Sequence, residues 1–408
     1  MKRMGGKKNY AWPITAISKE NYQVIVDCIQ SNSIFRERKI LIFGAGIRGA
    51  EIAVIMQTLG LGDIVFTDNN SDKWGGLVDT HPIISVEEAF RLRGSVAAII
   101  SVEEGSDICG QLEAAGFVKD QDYFYPLPDL YERFISEFKR PMQNKTLVMG
   151  DCMFEVVAFG DENKDSLTEM FHQKLGYDNV KLLTMHGMGL PAFYHVFKAQ
   201  INMGFKPKTF VVMLNFETLT GKQHLLPRSQ HTKLMKAVSE LSPDSDGELK
   251  KYYQLTQERV KNVQAEFFTT DKFSAGHNYA GMISDSASRV FFKLHYMYEL
   301  DTNIESLVYL RKIMKMGEEQ GINIIPFVPP VNYERGTELF DAEFESAYSK
   351  NLKKLAELVK NGGAELLDLS HICVKEEFAH VTTPDETTNY AGRCKITDAI
   401  CKAVERMI

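Results

Sequence analysis

The sequence predicts an α/β protein of two domains, each built around a parallel β-sheet. Apolar runs of strand length alternate with helical patterns, and this alternation stops and restarts once, near residue 145. The chain has 408 residues, more than a single hydrophobic core usually serves. With 44% hydrophobic and 25% charged residues, its composition is typical of a folded protein.

The first domain is predicted at residues 38–126. It begins with the apolar run KILIF, the glycine-rich turn GAGIRG, the helical pattern AEIAVIMQTLG and a second apolar run, DIVFTDN. This order is that of one βαβ unit, and the later run VAAIIS adds another strand. Residues 1–37 form an N-terminal extension in this interpretation, and the proline-containing stretch 127–144 forms a linker.

The second domain is predicted at residues 145–408. Its strand-like runs are TLVMGD, VKLLTM, TFVVMLNF, INIIPFVPPV and AELLDLS, with helical patterns between them and a last helix at 392–408. Short apolar strands that alternate with helices predict a parallel sheet covered on both faces, which is a three-layer α/β/α arrangement. Residues 225–300 interrupt this order and are predicted to be an insertion. Insertions above the carboxyl edge of such a sheet often shape a pocket.

Charge and composition exclude several classes of function. The net charge of −7 provides no basic field for nucleic acid. The sequence contains no continuous apolar run of about 18 residues and no signal-peptide core, so we expect a cytoplasmic protein without a membrane span. The six cysteines show no CxxC spacing, which argues against zinc and a disulfide framework. The class of partner that is not excluded is a small-molecule or glycan substrate. The sequence does not determine the oligomeric state.

The GAGIRG turn predicts a nucleotide site. It follows a strand and opens a helix, with Gly44, Gly46 and Gly49 as its glycines, and Asp68 ends the next strand. Glycines allow the backbone to approach a phosphate, the helix N-terminus offers free N–H groups, and a carboxylate can accept a hydrogen bond from a ribose hydroxyl. The alternative is that these glycines only fit a tight turn.

The surrounding residues add a resemblance to known modules. FTDN at 66–69, with Lys73, Gly75 and His81 followed by proline, resembles Rossmann-like modules of sugar-modifying enzymes. These modules include the N-terminal domain of sugar O-acyltransferases and the C-terminal domain of C-methyltransferases. The resemblance covers about residues 38–125. It implies a nucleotide or nucleotide-sugar ligand rather than a hydride-carrying cofactor.

Four blocks of the second domain resemble the SGNH (GDSL-like) hydrolase family. Asp151 and Cys152 follow TLVMG, MHGMGLPA contains Gly189 (or Gly187, an alternative for the same role), MLNFE contains Asn215, and TPDETTNYAGR contains Asp385. In this family the residue after the first Asp is the nucleophile. The resemblance therefore implies that Cys152 attacks an ester. The N–H of Cys152, with Gly189 and Asn215, would stabilise the oxyanion, and Asp385 would orient a base.

Two residues depart from the family pattern. Cys152 replaces serine, which preserves nucleophilic chemistry because a thiol pKa of about 8.5 leaves some thiolate at neutral pH. The position of the base histidine holds Thr387 or Thr388, and a hydroxyl cannot exchange a proton near pH 7. His380 is the nearest replacement in sequence. Further candidates come from the insertion: His224, His277 and His295.

Two functions remain open from the sequence. One is an esterase or O-acyltransferase that acts on a glycan or nucleotide-linked sugar in surface-polysaccharide metabolism. The other is a catalytically lapsed binding or scaffolding protein of polysaccharide assembly, in which Cys152 is only a small buried side chain. A nicotinamide oxidoreductase ranks last, because only the glycine motif favours it.

Overall fold

The computed structural model describes residues 9–10, 15–102, 105–127, 130–142, 145–221, 230–243, 247–262, 284–382, 384 and 386–407. The chain divides into two compact units. The first contains the described residues up to Arg133, together with Val157–Lys164. The second contains the described residues of Phe134–Val156 and all those from Asp165 onward. Both are α/β, with mainly parallel sheets, which confirms the predicted fold class.

The strands, numbered in chain order, are β1 (Asn9–Tyr10), β2 (Thr15–Ala16), β3 (Lys39–Phe43), β4 (Ile64–Thr67), β5 (Leu77–Val78), β6 (His81–Ile84), β7 (Val96–Ile100), β8 (Tyr123–Phe124), β9 (Thr146–Gly150), β10 (Val157–Ala158), β11 (Val180–Thr184), β12 (Thr209–Met213), β13 (Asn323–Val328) and β14 (Leu367–Asp368).

The α-helices of the described residues are α1 (Lys19–Ser31), α2 (Ile34–Glu37), α3 (Ile47–Thr58), α4 (Val86–Arg91), α5 (Ser106–Ala114), α6 (Leu130–Lys139), α7 (Leu167–Leu175), α8 (Leu190–Asn202), α9 (Thr232–Leu241), α10 (Glu248–Asn262), α11 (Asp285–Tyr296), α12 (Glu305–Gln320), α13 (Tyr333–Phe340), α14 (Ala342–Asn361) and α15 (Tyr390–Glu405). Among these residues, no helix is both long enough and apolar enough to cross a bilayer.

The sheet of the first unit has the order β1-β5-β6-β4-β3-β7-β8. Strands β6, β4, β3, β7 and β8 are parallel, and β5 runs antiparallel to β6. Side chains of β3 alternate between two apolar clusters, with Ile42 in one and Leu41 in the other. The first cluster also contains Ile17 and Ile25, from the segment predicted as an extension. The sheet is therefore buried on both faces.

The glycine-rich turn after β3 is tightly packed. Gly44 has φ +115°, and Ser101 Oγ donates a hydrogen bond to its carbonyl at 2.9 Å. A Cβ built at Gly49 would lie 2.0 Å from the Gly44 carbonyl oxygen. By contrast, no atom lies within 4 Å of a Cβ at Gly46. Packing therefore requires glycine at 44 and 49, whereas Gly46 borders open space.

The second unit contains a five-stranded parallel sheet of order β11-β9-β12-β13-β14. On β12, Val211 belongs to the same apolar cluster as Phe171 of α7 and Ile396 of α15. Its neighbour Phe210 packs against Phe197 of α8, with ring centroids 4.5 Å apart. Helices therefore cover both faces, as in the predicted three-layer arrangement.

The chain leaves β9 for β11 on one side and returns to β12 on the other. The order therefore reverses between β9 and β12. Open α/β sheets form a crevice at such a point, at the carboxyl ends of the strands. A ligand site is therefore expected at the residues that follow β9 and β12.

The last helix differs from the predicted range of 392–408. It begins at Tyr390, because the side chain of Asn389 accepts a hydrogen bond from the backbone N–H of Gly392 and caps the first turn. It ends at Glu405.

Substitution within the glycine turn should distinguish packing from ligand binding. We expect Gly49→Ala to lower the free energy of unfolding by roughly 1–3 kcal/mol, because the added methyl meets backbone. Gly46→Ala is the matched control and should change it far less. Urea denaturation of both variants measures the difference, and equal losses would contradict the packing described here.

Candidate functional site

A hydrogen bond between Asp151 and Asn215 joins the carboxyl ends of β9 and β12. Asn215 Nδ2 donates to Asp151 Oδ2 at 3.0 Å, and the backbone N–H of Met153 donates to Asp151 Oδ1 at 3.0 Å. Both side chains are buried. Burial raises the pKa of Asp151, and nearby Glu217 adds to the effect, while its two hydrogen bonds and the charge of His186 oppose it. Asn215, a predicted site residue, therefore contacts Asp151 at the reversal point, and its predicted contribution to an oxyanion site stays a prediction.

Cys152 begins the short 3-10 turn that Asp151 caps. The turn is tight, because a Cβ at Gly150 would lie 2.2 Å from the Phe154 ring. The Cys152 side chain is half-buried. Cys152 thus lies two residues after the end of β9 and directly follows Asp151, whose carboxylate is bonded to Asn215.

The Asn215 side chain is also fixed by its oxygen Oδ1, which accepts a hydrogen bond from the backbone N–H of Glu217 at 2.9 Å. Its amide nitrogen carries two hydrogens, of which the bond to Asp151 uses one. Within the part of the chain that the structure describes, the second N–H of this amide has no acceptor.

The loop after β11 lies against the end of β9, since the backbone N–H of Met185 donates to the Gly150 carbonyl at 3.4 Å. This loop contains His186 and Gly187, and it ends at Gly189, which precedes the first turn of α8. Gly189 thus belongs to the loop beside Asp151. Its predicted contribution to an oxyanion site stays a prediction.

Glu386 contributes a buried carboxyl to this region. The Tyr296 hydroxyl donates to Glu386 Oε1 at 3.0 Å and lies 3.4 Å from the Pro384 carbonyl oxygen. Burial raises the pKa of Glu386 well above its ordinary value, and the negative charges of Asp151 and Glu217 raise it further. A carboxyl in this environment binds a proton far more strongly than one in water.

The two threonines at the predicted base position are both buried. A Cβ at Gly392 would lie 2.6 Å from Cβ of Thr388, so Thr388 packs against the first turn of α15. Arg393 of α15 is fully buried and donates from Nη1 to the Thr388 carbonyl at 2.8 Å and from Nε to the Asp165 carbonyl at 2.9 Å. The helix thereby holds the loop that carries Glu386.

Three histidines are associated with these elements: His186, His231 and His295. Nε2 of His295 lies 3.9 Å from Oε1 of Glu217, and its Nδ1 is buried without a hydrogen-bond partner among the described residues. Burial lowers the pKa of His231 to about 4, partly offset by the backbone of Gly187. Of the three, the sequence suggested His295.

The structure describes His380 but not the other remaining candidates. His380 precedes the site loop, where the N–H of Ala379 donates to the Thr387 carbonyl at 2.9 Å. Asp385, His224 and His277 lie outside the described residues. The described residues contain no group of three or more His, Cys, Asp or Glu side chains arranged to hold a metal ion.

Sequence reasoning missed His186, His231, Glu217, Tyr296 and Glu386. His186 could have been found, because it follows the strand-like run VKLLTM in the same block as Gly189. Glu217 and Glu386 lie within two of the resembling blocks, MLNFE and TPDETTNYAGR, but have no role in that resemblance, and His231 and Tyr296 carry no local pattern. They reach the site through the packing of segments far apart in the chain.

In the first unit, Asp68 braces the glycine turn. Its Oδ2 accepts from the backbone N–H of Ala45 at 2.8 Å and from Nζ of Lys73 at 2.8 Å, and Oδ1 accepts from the N–H of Asn70 at 2.9 Å. Lys73 Nζ also donates to the Ala45 carbonyl at 3.1 Å. The predicted partner of Asp68 is a ribose hydroxyl. That hydroxyl would have to donate to a carboxylate that already accepts the hydrogen bonds of the turn.

Comparison with known proteins gives only distant likenesses. No family model matches the sequence, and neither does any curated protein. Among solved structures, a GDSL-like lipase from Bacteroides thetaiotaomicron shares 9% identity at a TM-score of 0.33, over 68% of this chain and 98% of that one. A psychrotrophic esterase from Pseudoalteromonas sp., inhibited by monoethylphosphonate, shares 11% sequence identity at a TM-score of 0.28, and the match covers 64% of this chain and 100% of that one. We draw no functional conclusion from similarities this low.

The raised pKa of Glu386 makes stability depend on pH. A carboxyl whose pKa is higher in the folded than in the unfolded protein stabilises the fold below its unfolded pKa, near 4.5, and this contribution is lost as pH rises through the folded value. We expect Glu386→Gln, which keeps an acceptor for Tyr296, to raise the Tm relative to wild type at pH 8 and to match it near pH 4. A Tm difference independent of pH would contradict this.

Proposed function

We propose that the second unit is an SGNH-like domain that hydrolyses or transfers an acyl ester, with Cys152 as nucleophile. The Asp151–Asn215 hydrogen bond carries this proposal. It fixes the turn that begins with Cys152 next to a side-chain amide, at the point in the sheet where ligands bind. A nucleophile beside a prepositioned N–H donor is the arrangement that acyl transfer requires.

The reaction follows from these groups. The Cys152 sulfur forms a bond to the carbonyl carbon, and the carbonyl oxygen becomes an oxyanion. The remaining N–H of Asn215, with the backbone N–H groups of Cys152 and Gly189, donates to that oxygen. The carbon–oxygen bond of the ester then breaks, the thiol proton leaves with the alkoxide oxygen as an alcohol, and a thioester remains. Water or an acceptor hydroxyl then attacks the thioester carbon, the carbon–sulfur bond breaks, and the proton of the attacking group restores the thiol. The orienting role predicted for Asp385 remains part of this proposal.

The proposed substrate is a glycan or nucleotide-linked sugar of surface-polysaccharide metabolism. The first unit, in this proposal, is a Rossmann-like module that holds a nucleotide or nucleotide-sugar. The strand order β6-β4-β3-β7-β8 supports it, because the order reverses between β3 and β7, next to the glycine turn.

Hydrolysis of p-nitrophenyl acetate tests the acyl chemistry. Wild type should release p-nitrophenol, and Cys152→Ala should fall to the rate of buffer, because the acyl group then has no acceptor atom. Asn215→Ala should lower the rate of hydrolysis roughly 10²–10³-fold, as the removal of one oxyanion-hole donor does in other enzymes.

Equal rates for wild type and Cys152→Ala would contradict the proposal. That result would favour a binding protein without catalysis. The burial of Thr387 and Thr388 where the family carries its base is the observation that favours this second candidate.

Gly46 allows a direct test of nucleotide binding by the first unit. Because no atom lies within 4 Å of a Cβ there, Gly46→Leu should fold normally and fill the space that a phosphate would occupy. In calorimetric titration with UDP, saturable heat is expected for wild type and should be absent from Gly46→Leu at unchanged Tm. Identical titrations would refute the assigned site.

A further inference from the structure

We propose that Tyr298 is a positioning residue for the side-chain amide of Asn215. Its role rests on the proposed acyl chemistry, in which this amide donates to the oxyanion. Tyr298 lies between α11 and α12. Its hydroxyl donates a hydrogen bond at 2.8 Å to the carbonyl oxygen of Phe216, 82 residues earlier in the chain.

The contact reaches Asn215 through a single peptide group. The Phe216 carbonyl and the Glu217 N–H belong to the same group, which is planar and rigid. At one end its oxygen accepts from Tyr298, and at the other end its N–H donates to Asn215 Oδ1 at 2.9 Å. Tyr298 therefore orients the donor that holds the Asn215 side chain, and its hydrogen bond also polarises that donor.

The main chain of Asn215 is held separately. Its carbonyl oxygen accepts from the backbone N–H of Thr218 at 3.0 Å and from Thr218 Oγ1 at 2.8 Å. With the main chain fixed, the direction of the amide depends on its side-chain contacts. Among the described residues these are the Asp151 carboxylate and the Glu217 N–H. The second of them is the contact on which the tyrosine hydroxyl acts.

The segment that carries Tyr298 is itself secured by Asn351 of α14, a buried side chain. Asn351 Nδ2 donates to the carbonyl oxygens of Tyr296 at 3.2 Å and of Tyr298 at 2.6 Å. Its Oδ1 accepts from the backbone N–H of Leu300 at 3.0 Å. The phenol therefore extends from a fixed segment, as a group must that locks a reacting residue in place.

The size of the expected effect follows from what the amide does. An oxyanion forms only as the reaction proceeds, so a displaced amide lowers kcat and leaves KM unchanged. Removing such a donor costs roughly 10²–10³-fold, which is the upper limit for a residue that acts through it. We expect Tyr298→Phe to lower kcat for p-nitrophenyl acetate by roughly 10–10²-fold, the loss that displacements of up to about 1 Å cause.

The test is a double-mutant cycle of Tyr298→Phe and Asn215→Ala. Tyr298→Phe should lower kcat in the wild-type background and cause no further loss in Asn215→Ala, because the group it positions is then absent. A purely structural role would lower kcat by the same factor in both backgrounds. Tyr123→Phe is the matched control. It removes a buried tyrosine hydroxyl in the first unit, which donates to Glu113 Oε1 at 2.7 Å, and kcat should stay unchanged.

A second readout is independent of activity. In protein isotopically labelled at asparagine, the NMR signal of the Asn215 side-chain amide is identified by its absence from Asn215→Ala. This signal should shift in Tyr298→Phe, since the donor to its oxygen moves, and it should keep its position in Tyr123→Phe. Circular dichroism checks that each variant is folded.

Three results would overturn the role of Tyr298 while an inactive Cys152→Ala still upholds acyl chemistry. These are an unchanged kcat in folded Tyr298→Phe, equal losses in the two backgrounds, and an Asn215 signal that does not move. A kcat lowered as much by Tyr123→Phe would also count against it. If Cys152→Ala is as active as wild type, the proposed function fails, and Tyr298 has no role in catalysis whether or not the signal shifts.

Discussion

The second unit depends on one buried hydrogen bond, from the Asn215 amide to the Asp151 carboxylate. A parallel sheet places the residues after β9 and β12 side by side, but sheet geometry alone leaves their side chains free to rotate. The carboxylate removes this freedom, because one oxygen caps the turn that begins with Cys152 and the other holds Asn215. A single side chain thus holds both the turn that begins with Cys152 and the amide of Asn215.

The same edge concentrates acidic groups in a poorly solvated environment. Asp151 and Glu386 are both buried, and burial raises the pKa of each. The charge of Glu217 raises both pKa values further, and the charge of Asp151 also raises that of Glu386. Such an arrangement opposes folding at neutral pH, since ionised carboxyls lose their hydration. Hydrogen bonds from Met153, Asn215 and Tyr296 offset part of this cost. Proteins retain unfavourable groups of this kind most often at functional sites.

How much the sequence could predict depends on the range of the interactions. Strand β3, the turn at Gly44 and helix α3 are consecutive, so local apolar periodicity and glycine spacing were sufficient to predict them. Asp151 and Asn215 could also be identified, because the blocks that contain them resemble a known family and each block follows a buried strand, which places it at the edge of the sheet. Tyr296 and Glu386 could not. Their contact joins helix α11 to a loop about 90 residues later, and no local pattern encodes such a pair.

The buried Arg393 has a consequence for how the site is assembled. It connects α15 to the carbonyl of Thr388 and also to that of Asp165, so the loop with Glu386 is secured only after a helix near residue 393 has docked. Synthesis proceeds from the N-terminus, and domains fold as their segments emerge. The strands that bear Asp151 and Asn215 can pair long before this helix exists. A nascent chain would therefore form the turn that begins with Cys152 while the acidic loop is still missing, and this edge of the sheet would be completed only when the last helix docks.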